Sequence, residues 1–296
     1  MKDGEEYKHL NQLGSVYNRL IEQGADRKTL LISLGGGVVG DFTGFVAATL
    51  FRGIPFVQIP TTLLAAVDAS VGGKVAINVD KGKNMVGAFH QPSMVFFNLE
   101  NLRSLPEKEW VCGHAEMIKH AFLDPSGDMF SWLDEHSSEL RDPSSSALKK
   151  AVLDSIAFKA EVVEKDETEL GLRAILNLGH TTAHALESFT HYSRFSHGEA
   201  VSRGLVTMMY ISGILENFPE EDKEQCIALM EKLNLPMDTA GISGKDLLEH
   251  LKFDKKTISG IPRFVLLEKR GKYKFDVKVS EEVFLRAWQM QRERFG

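Results

Sequence analysis

Three separated segments of this 296-residue chain carry side chains able to bind a divalent cation. Glu116 and Lys119 stand three apart in HAEMIKHAF, on one face of a helix. His180 and His184 stand four apart in NLGHTTAHALE, and His197 and Glu199 share SHGEAV; both segments open helices. A carboxylate with two imidazoles is a usual Zn²⁺ set, and a catalytic site leaves a position open for substrate. An H-x-x-x-H pair is also common on ordinary surfaces, so spacing alone leaves the metal reading open. No Glu follows the first His, which excludes the zinc-protease pattern. His114, His120 and His136 lack such company and are read as structural or surface residues.

Two further stretches invite anions. Gly35-Gly36-Gly37-Val38-Val39-Gly40-Asp41 follows a short apolar run and opens a helix. Glycines there let backbone N–H groups approach a pyrophosphate, and the helix N-terminus favours negative charge. The spacing is not G-x-G-x-x-G, so tight-turn geometry alone accounts for it equally well. VDASVGGKVAINVDKGKNMVGAF sets Asp68, Lys74, Lys81, Lys83 and Asn84 among glycines and apolar residues. Lysines in segments suited to burial need anionic partners, because an unpaired ammonium is costly to desolvate. Phosphate or carboxylate ligands fit; two surface hairpin lysines are the plainer alternative.

The elements that must position these groups fall into two textures. Tyr7, Leu10, Leu13, Val16, Tyr17, Leu20 and Ile21 recur at helical spacing, with Gly24 as a stop. TLLISLGGGVVGDFTGFVAATLF reads as strand–turn–helix, and PFVQIP, VAINV and MVFFNL as further short buried strands. Strands alternating with helices predict a mostly parallel α/β sheet over 1–105. From 106 to 296 helical patterns dominate, at 107–122, 145–165, 179–189, 198–217 and 220–233. Strand-like sequence returns in RFVLLEKRGKYKFDV, with a turn at Arg270-Gly271.

Composition narrows the class. The 43% apolar and 26% charged fractions are ordinary for a globular protein. The net charge of −6 does not favour nucleic-acid or membrane partners, so any anion site is a local cluster. Cys112 and Cys226 are too few for a disulfide framework and fit a reducing compartment. No apolar run reaches the roughly 18 residues of a membrane-spanning helix, and MKDGEEYKHL is unlike a signal peptide. A cytoplasmic protein is expected.

Taken together, the residues resemble the 3-dehydroquinate synthase family. The strings that carry the resemblance include DGEEYK, GGGVVGD, RGIPFVQIPTTLLAAVDASVGGK, GKNMVGAFHQP, LPEKEW, GHAEMIKH, KAEVVEKDETELGLRAILNLGHTTAHALE and HGEAV. They stand in family order across nearly the whole chain. The resemblance implies an N-terminal dinucleotide-binding α/β domain over 1–105 and a mainly helical metal- and substrate-binding domain over 106–296.

It also implies site residues. NAD would contact Asp3, Gly4, Glu5, Glu6, Tyr7 and Lys8, the turn at Gly36, Gly37, Val38, Val39, Gly40 and Asp41, and Thr61 and Thr62. Lys74, Lys83, Asn101, Leu102, Arg103 and Ser104 would complete that site; Ser104 stands where the family often has threonine. Metal ligands map to Glu116, His180 and His197, and the metal would be Zn²⁺ or Co²⁺. Catalytic roles fall to His184, Lys119, Lys74, Asp68, Lys159, Arg173 and Asn177, with His184 assisting proton movement. Substrate contacts fall to Arg52, Lys83, Asn84, Glu169, Lys255 and Lys256, Lys256 being favoured of the last two.

The implied substrate, 3-deoxy-D-arabino-heptulosonate 7-phosphate, carries a carboxylate and a phosphate, which explains the cation-rich segments. The implied reaction is oxidation at C5, β-elimination of phosphate, reduction, ring opening and aldol closure, with NAD regenerated. A homodimer acting on this small molecule is expected.

Departures from the family are few. Members carry a further strand–helix segment before DGE-x-x-K, a βαβ unit of about 30 residues or more, whereas Met1-Lys2 precede Asp3 here. A fragment or misassigned start is the expectation, a genuine short form with weaker NAD binding the alternative. Ala183 and Val75 replace a frequent glycine and threonine and remove no ligand. Rival readings are a 2-deoxy-scyllo-inosose or valiolone-type cyclase, a glycerol-dehydrogenase-like protein, and an inactive NAD-binding module. Retention of Lys159, Arg173, Asn177 and His184 favours the dehydroquinate enzyme.

Overall fold

The computed structural model describes residues 4–80, 82–252 and 262–296. Helix α1 (Leu10–Glu22) starts where the His9 ring accepts the Asn11 N–H. Its helically spaced Leu13, Val16, Tyr17 and Leu20 pack into a small apolar core with Phe42, Phe45, Val46 and Phe56. Strand β1 (Leu31–Gly35) turns at Gly36 into α2 (Gly37–Thr49), and β2 (Phe56–Pro60) pairs parallel to β1. Adding β5 (Met94–Val95) gives a parallel sheet ordered β1-β2-β5.

Two predicted strands differ from expectation. VAINV lies in β3 (Lys74–Val79), which pairs antiparallel with β4 (Gly82–Phe89) instead of joining the parallel sheet. Only residues 80 and 81 separate the two strands, far too few for the crossover that parallel pairing needs. MVFFNL contributes only Met94–Val95, and both are exposed rather than buried. Among the described residues this short strand has one partner, β2, and so sits at the sheet edge.

The second half is a helical body. Helices α3 (Glu107–Leu123), α4 (Asp128–Glu135), α5 (Ser146–Lys165), α6 (His180–Phe189), α7 (His197–Leu215), α8 (Glu220–Lys232) and α9 (Gly244–Lys252) follow in order. An antiparallel hairpin, β6 (Arg263–Lys269) and β7 (Lys272–Lys278), turns at Arg270-Gly271 and leads to α10 (Glu281–Phe295). Residues 110–123 of α3 and most of α7 are buried on every side, and the polar side chains they carry, Glu116 and Lys119 among them, are paired within the interior. Each fully buried Leu, Phe or Met there stabilises by roughly 1.5–3 kcal/mol. The larger apolar core gathers around these two helices and reaches back to Leu63, Val67 and Leu102.

Small residues set how closely α3 can approach its neighbours. A Cβ on Gly198 would lie 2.3 Å from the Cys112 Cα, and one on Gly113 would lie 2.3 Å from Leu63 Cγ. That contact brings the start of α7 against the middle of α3, one turn from Glu116.

Candidate functional site

Glu116 is fully buried on α3, while His180 and His197 are the first residues of α6 and α7. Gly179, at φ 77°, supplies the left-handed turn into α6. Ser196 caps α7 in a reciprocal box with Glu199, whose carboxylate accepts the Ser196 N–H at 2.7 Å. Glu199 is therefore occupied at the helix start, and His197 alone of that pair faces Glu116.

The His180 and His197 Nε2 atoms lie 3.5 and 3.4 Å from the same atom, Glu116 Oε1. Each ring's other nitrogen points away, His180 Nδ1 to the Leu178 carbonyl at 3.1 Å and His197 Nδ1 to Glu187 Oε1 at 3.2 Å. Lys119 Nζ pairs with the other Glu116 oxygen, Oε2. Oε1 is buried with no hydrogen-bond partner among the described residues. A buried, unpartnered carboxylate oxygen facing two imidazole nitrogens suits a cation of the zinc class. One ligand atom from each residue lies within 4.8 Å of the others. Asp68, Glu116 and His120 also meet that distance, but there Lys159 already pairs with Asp68 and His120 Nδ1 with Ser155.

Charges in this centre are strongly coupled. Burial opposes ionisation of Glu116, yet Lys119 and the two imidazoles hold its carboxyl well below the usual range. Burial would lower His197, but the flanking Glu116 and Glu187 carboxylates carry it well above the ordinary imidazole value. His180 is pushed down by burial and by Lys119. Burial also drives His114 to about 4 and His120 to about 3. His114 Nε2 meets the Leu140 carbonyl and His120 Nδ1 meets Ser155, inside the core.

Next to the centre stands a band of cations. Asp68 sits on a π-helical turn, Ala65–Ala69, and accepts Lys159 Nζ at 2.8 Å. Lys119 Nζ is 4.0 Å from the same carboxylate. Arg173 is buried; its guanidinium donates to the Glu167 carbonyl and, at 2.9 Å, to the Gly72 carbonyl. Gly72 must be glycine, since a Cβ would meet Arg173 Nη2 at 2.2 Å and φ is 106°. Glu169 takes Lys74 on one oxygen and Asn177 Nδ2 on the other at 2.9 Å.

Lys74 and Lys83 both lie on the β3–β4 hairpin and line the cleft, Lys74 with its side chain 48% exposed. Lys74 faces open cleft beside an anionic partner, Glu169, whereas β4, which carries Lys83, is largely exposed and not the segment suited to burial that its residues suggested. Lys83 Nζ lies 4.3 Å from the Tyr192 ring centroid. Asn84 lines the cleft too, its N–H bonded to Asn78 Oδ1. His184 lines the same space, its ring centroid 5.7 Å from that of His180. Arg52 is exposed at the end of α2, outside the cleft lining.

The glycine turn closes the far end. Gly36, Gly37, Val38, Val39 and Asp41 line a cleft of about 1380 Å³ that also takes in Lys159, Arg173 and His197. Lys8 bridges Asp41 at 2.8 Å and Glu5 at 3.1 Å; burial lowers its pKa but the two carboxylates lift it above the ordinary value. Burial raises the Asp41 carboxyl against the pull of Lys8. Gly4, Thr61, Thr62, Asn101 and Ser104 also line the cleft. Glu6 and Tyr7 lie on the short helical turn Glu5–Tyr7 outside the lining. Gly40 backs onto Gln58, Leu102 is buried in the core, and Arg103 turns out to pair with Glu100. Asp3, Lys255 and Lys256 lie outside the described residues.

Two polar residues escaped the sequence reading. Glu187 follows His180 and His184 at i+7 and i+3, a one-face pattern visible in HTTAHALE. Burial opposes its ionisation, but the bond to His197 and the charges of His184 and Lys83 hold it below the ordinary range. Asp166 accepts the N–H groups of Leu170, Gly171 and Arg173 at 2.8–2.9 Å, fixing the segment that carries Glu169 and Arg173.

This fold, a parallel sheet ending in a glycine turn and facing a helical body, is shared with solved cyclases. The solved 2-epi-5-epi-valiolone synthase of Streptomyces hygroscopicus subsp. jinggangensis, with NAD⁺ and Zn²⁺ bound, superposes with a TM-score of 0.90 at 24% identity. That match covers 99% of this chain and 82% of the synthase. A 2-deoxy-scyllo-inosose synthase complexed with carbaglucose-6-phosphate, NAD⁺ and Co²⁺ gives 0.88 at 27% identity, over 99% and 82% of the two chains. Residues 1–112 match the N-terminal and 113–257 the C-terminal domain of 3-dehydroquinate synthase. The 3-dehydroquinate synthase of Leptospira interrogans serogroup Icterohaemorrhagiae serovar copenhageni is 49% identical over 292 residues, 99% of this chain and 80% of that protein. The chain belongs to the 3-dehydroquinate synthase family, and is an enzyme of the cyclase type.

Proposed function

We propose that this chain converts 3-deoxy-D-arabino-heptulosonate 7-phosphate to 3-dehydroquinate and phosphate, with catalytic NAD and one Zn²⁺ or Co²⁺ ion. The observation that carries the reading is that His197, one of the Glu116–His180–His197 centre, lines the same cleft as the glycine turn and five cationic side chains. Glu116, His180 and His197 would hold the metal, which supplies Lewis-acid polarisation of a substrate oxygen, while NAD supplies a reversible hydride acceptor.

The chain's own residues bind and orient. Gly36 and Gly37 offer backbone N–H groups at the start of α2 to a pyrophosphate, and the Lys8–Asp41 pair braces that turn. Lys74, Lys83, Lys159, Arg173 and Asn84 supply donors for the substrate carboxylate and phosphate. Held in fixed positions, they stabilise charge as it gathers on departing phosphate. Lys119 balances Glu116, and Asn177 and Glu169 keep Lys74 in place. His184 lines the cleft one helical turn from His180, placed to hold or move a proton of the substrate. Each of these roles is part of the proposal.

The division into a dinucleotide-binding domain over 1–105 and a metal- and substrate-binding domain over 106–296 belongs to the same proposal. The small apolar core between residues 13 and 88 supports it. A homodimer in the cytoplasm completes the reading; the free, buried thiols of Cys112 and Cys226 fit a reducing compartment. Among the described residues no helix is long and apolar enough to cross a membrane.

Phosphate release from the heptulosonate phosphate, with substoichiometric NAD⁺ and added Zn²⁺ or Co²⁺, tests the assignment. Turnover with NAD⁺ unconsumed is expected. Absence of turnover by the chain, together with turnover on a hexose phosphate, would move it to another cyclase.

A further inference from the structure

We propose that Glu187 is a positioning residue for the cation site, its carboxylate fixing the tautomer and ring orientation of His197. This deepens the reading that Glu116, His180 and His197 hold a divalent ion. An imidazole can offer Nε2 to a metal only as a lone pair, so its proton must reside on Nδ1. For His180 the Leu178 carbonyl, 3.1 Å away, takes that proton in a hydrogen bond. His197 opens α7, where the exposed backbone groups are N–H donors and provide no such acceptor. What faces its Nδ1 is Glu187 Oε1 at 3.2 Å, from the preceding helix.

The geometry of α6 makes this a built arrangement. His180, His184 and Glu187 fall at i, i+4 and i+7 on one face, so one helix supplies a ligand and orients another. The Glu187 side chain is only 13% exposed, and its position 3.2 Å from one ring nitrogen leaves the other 3.4 Å from Glu116. A carboxylate behind a ligating imidazole also raises the basicity of the ligand. The other carboxylates near the candidate ligands, Glu116 and Asp68, are each matched by a lysine. Glu187 thus brings negative charge to the ligand set from behind His197.

The test compares the full chain with its Glu187→Gln and Glu187→Asp variants. Zn²⁺ affinity is read by competition with a chromophoric chelator, and the Co²⁺ form by its visible d–d spectrum. Glu187→Gln is expected to weaken metal binding by about 10- to 100-fold and to shift the Co²⁺ bands. Glu187→Asp, a carboxylate one methylene shorter, should fall between, and serves if the Gln variant does not fold. NAD⁺ affinity should stay unchanged, and the Tm of the Zn²⁺-loaded chain should fall by more than that of the metal-free chain, whereas a purely structural carboxylate would lower both equally. A Gln variant with wild-type Zn²⁺ affinity and an unaltered Co²⁺ spectrum overturns the role of Glu187 alone. A wild-type chain that binds no Zn²⁺ overturns the cation reading and this role with it.

Discussion

Lys159 Nζ and Asp68 Oδ1 meet at 2.8 Å although 91 residues separate them in the chain. The pair ties α5 to the π-helical turn beside the carboxylate–imidazole centre. Burial pulls the lysine pKa down, while the Asp68 carboxyl, despite burial, is held below its usual range chiefly by Lys159.

Removing one partner leaves the other charge buried. Lys159→Met is expected to lose phosphate-releasing activity and roughly 3 kcal/mol of stability, the low end for a broken buried pair because Lys119 remains near. The Lys159→Met/Asp68→Asn double variant should regain part of that stability, as read from urea unfolding midpoints. A double variant less stable than the single would contradict the pairing.

Metal and substrate functions should separate by mutation. His180→Ala deletes one nitrogen facing Glu116 and should abolish retention of Zn²⁺ through dialysis. Arg173→Ala should keep the metal, since the Arg173 guanidinium hydrogen-bonds to the Glu167 and Gly72 carbonyls and not to the three candidate ligands, and raise KM by at least 10-fold, about 1.4 kcal/mol. Metal content by emission spectrometry and steady-state kinetics on the two variants check this.

Hydrogen bonds from the N–H groups of Arg173 and Leu170, against slight desolvation, hold the Asp166 carboxyl below its ordinary value. A depressed carboxylate contributes fully above its unfolded pKa, near 3.9, and loses that contribution as pH falls through the folded value. The segment of Glu169 and Arg173 is therefore expected to loosen only below about pH 4. Asp166→Ala should loosen it at every pH. Amide hydrogen exchange at Leu170, Gly171 and Arg173 reads this; equal protection in variant and wild type would contradict it.

Gly198→Ala probes the contact of α7 with α3. The added methyl would press on the Cys112 backbone, which cannot move aside as a flexible side chain would. Overpacking of this kind costs about 1–3 kcal/mol, and here it also pushes His197 away from Glu116. A lower Tm with weaker Zn²⁺ binding is expected; unchanged values in both would refute the tight crossing.

Much of this was legible in the residues. Glu116, His180 and His197 were readable as ligand types, and the helical periods of α3, α5, α6 and α7 emerge within a residue or two of expectation. What periodicity missed was pairing. VAINV has the composition of any buried strand, and nothing in it distinguishes a parallel partner from the neighbouring β4. MVFFNL is apolar, but an edge position left it with two paired residues. Glu187 was hidden because an acid late in a helix resembles a solvated charge until its partner, ten residues on, folds against it. The capping role of Glu199 was likewise indistinguishable from ligation by spacing alone.

Every catalytic role proposed above requires Glu116, His180 and His197 to share one ion. Zinc K-edge absorption of the Zn²⁺-loaded chain, with anomalous diffraction from its crystals, tests that directly. A single zinc per chain, bound by one carboxylate oxygen and two imidazole nitrogens between α3, α6 and α7, is predicted. Zinc bound elsewhere, or a first shell lacking two imidazoles, would contradict it.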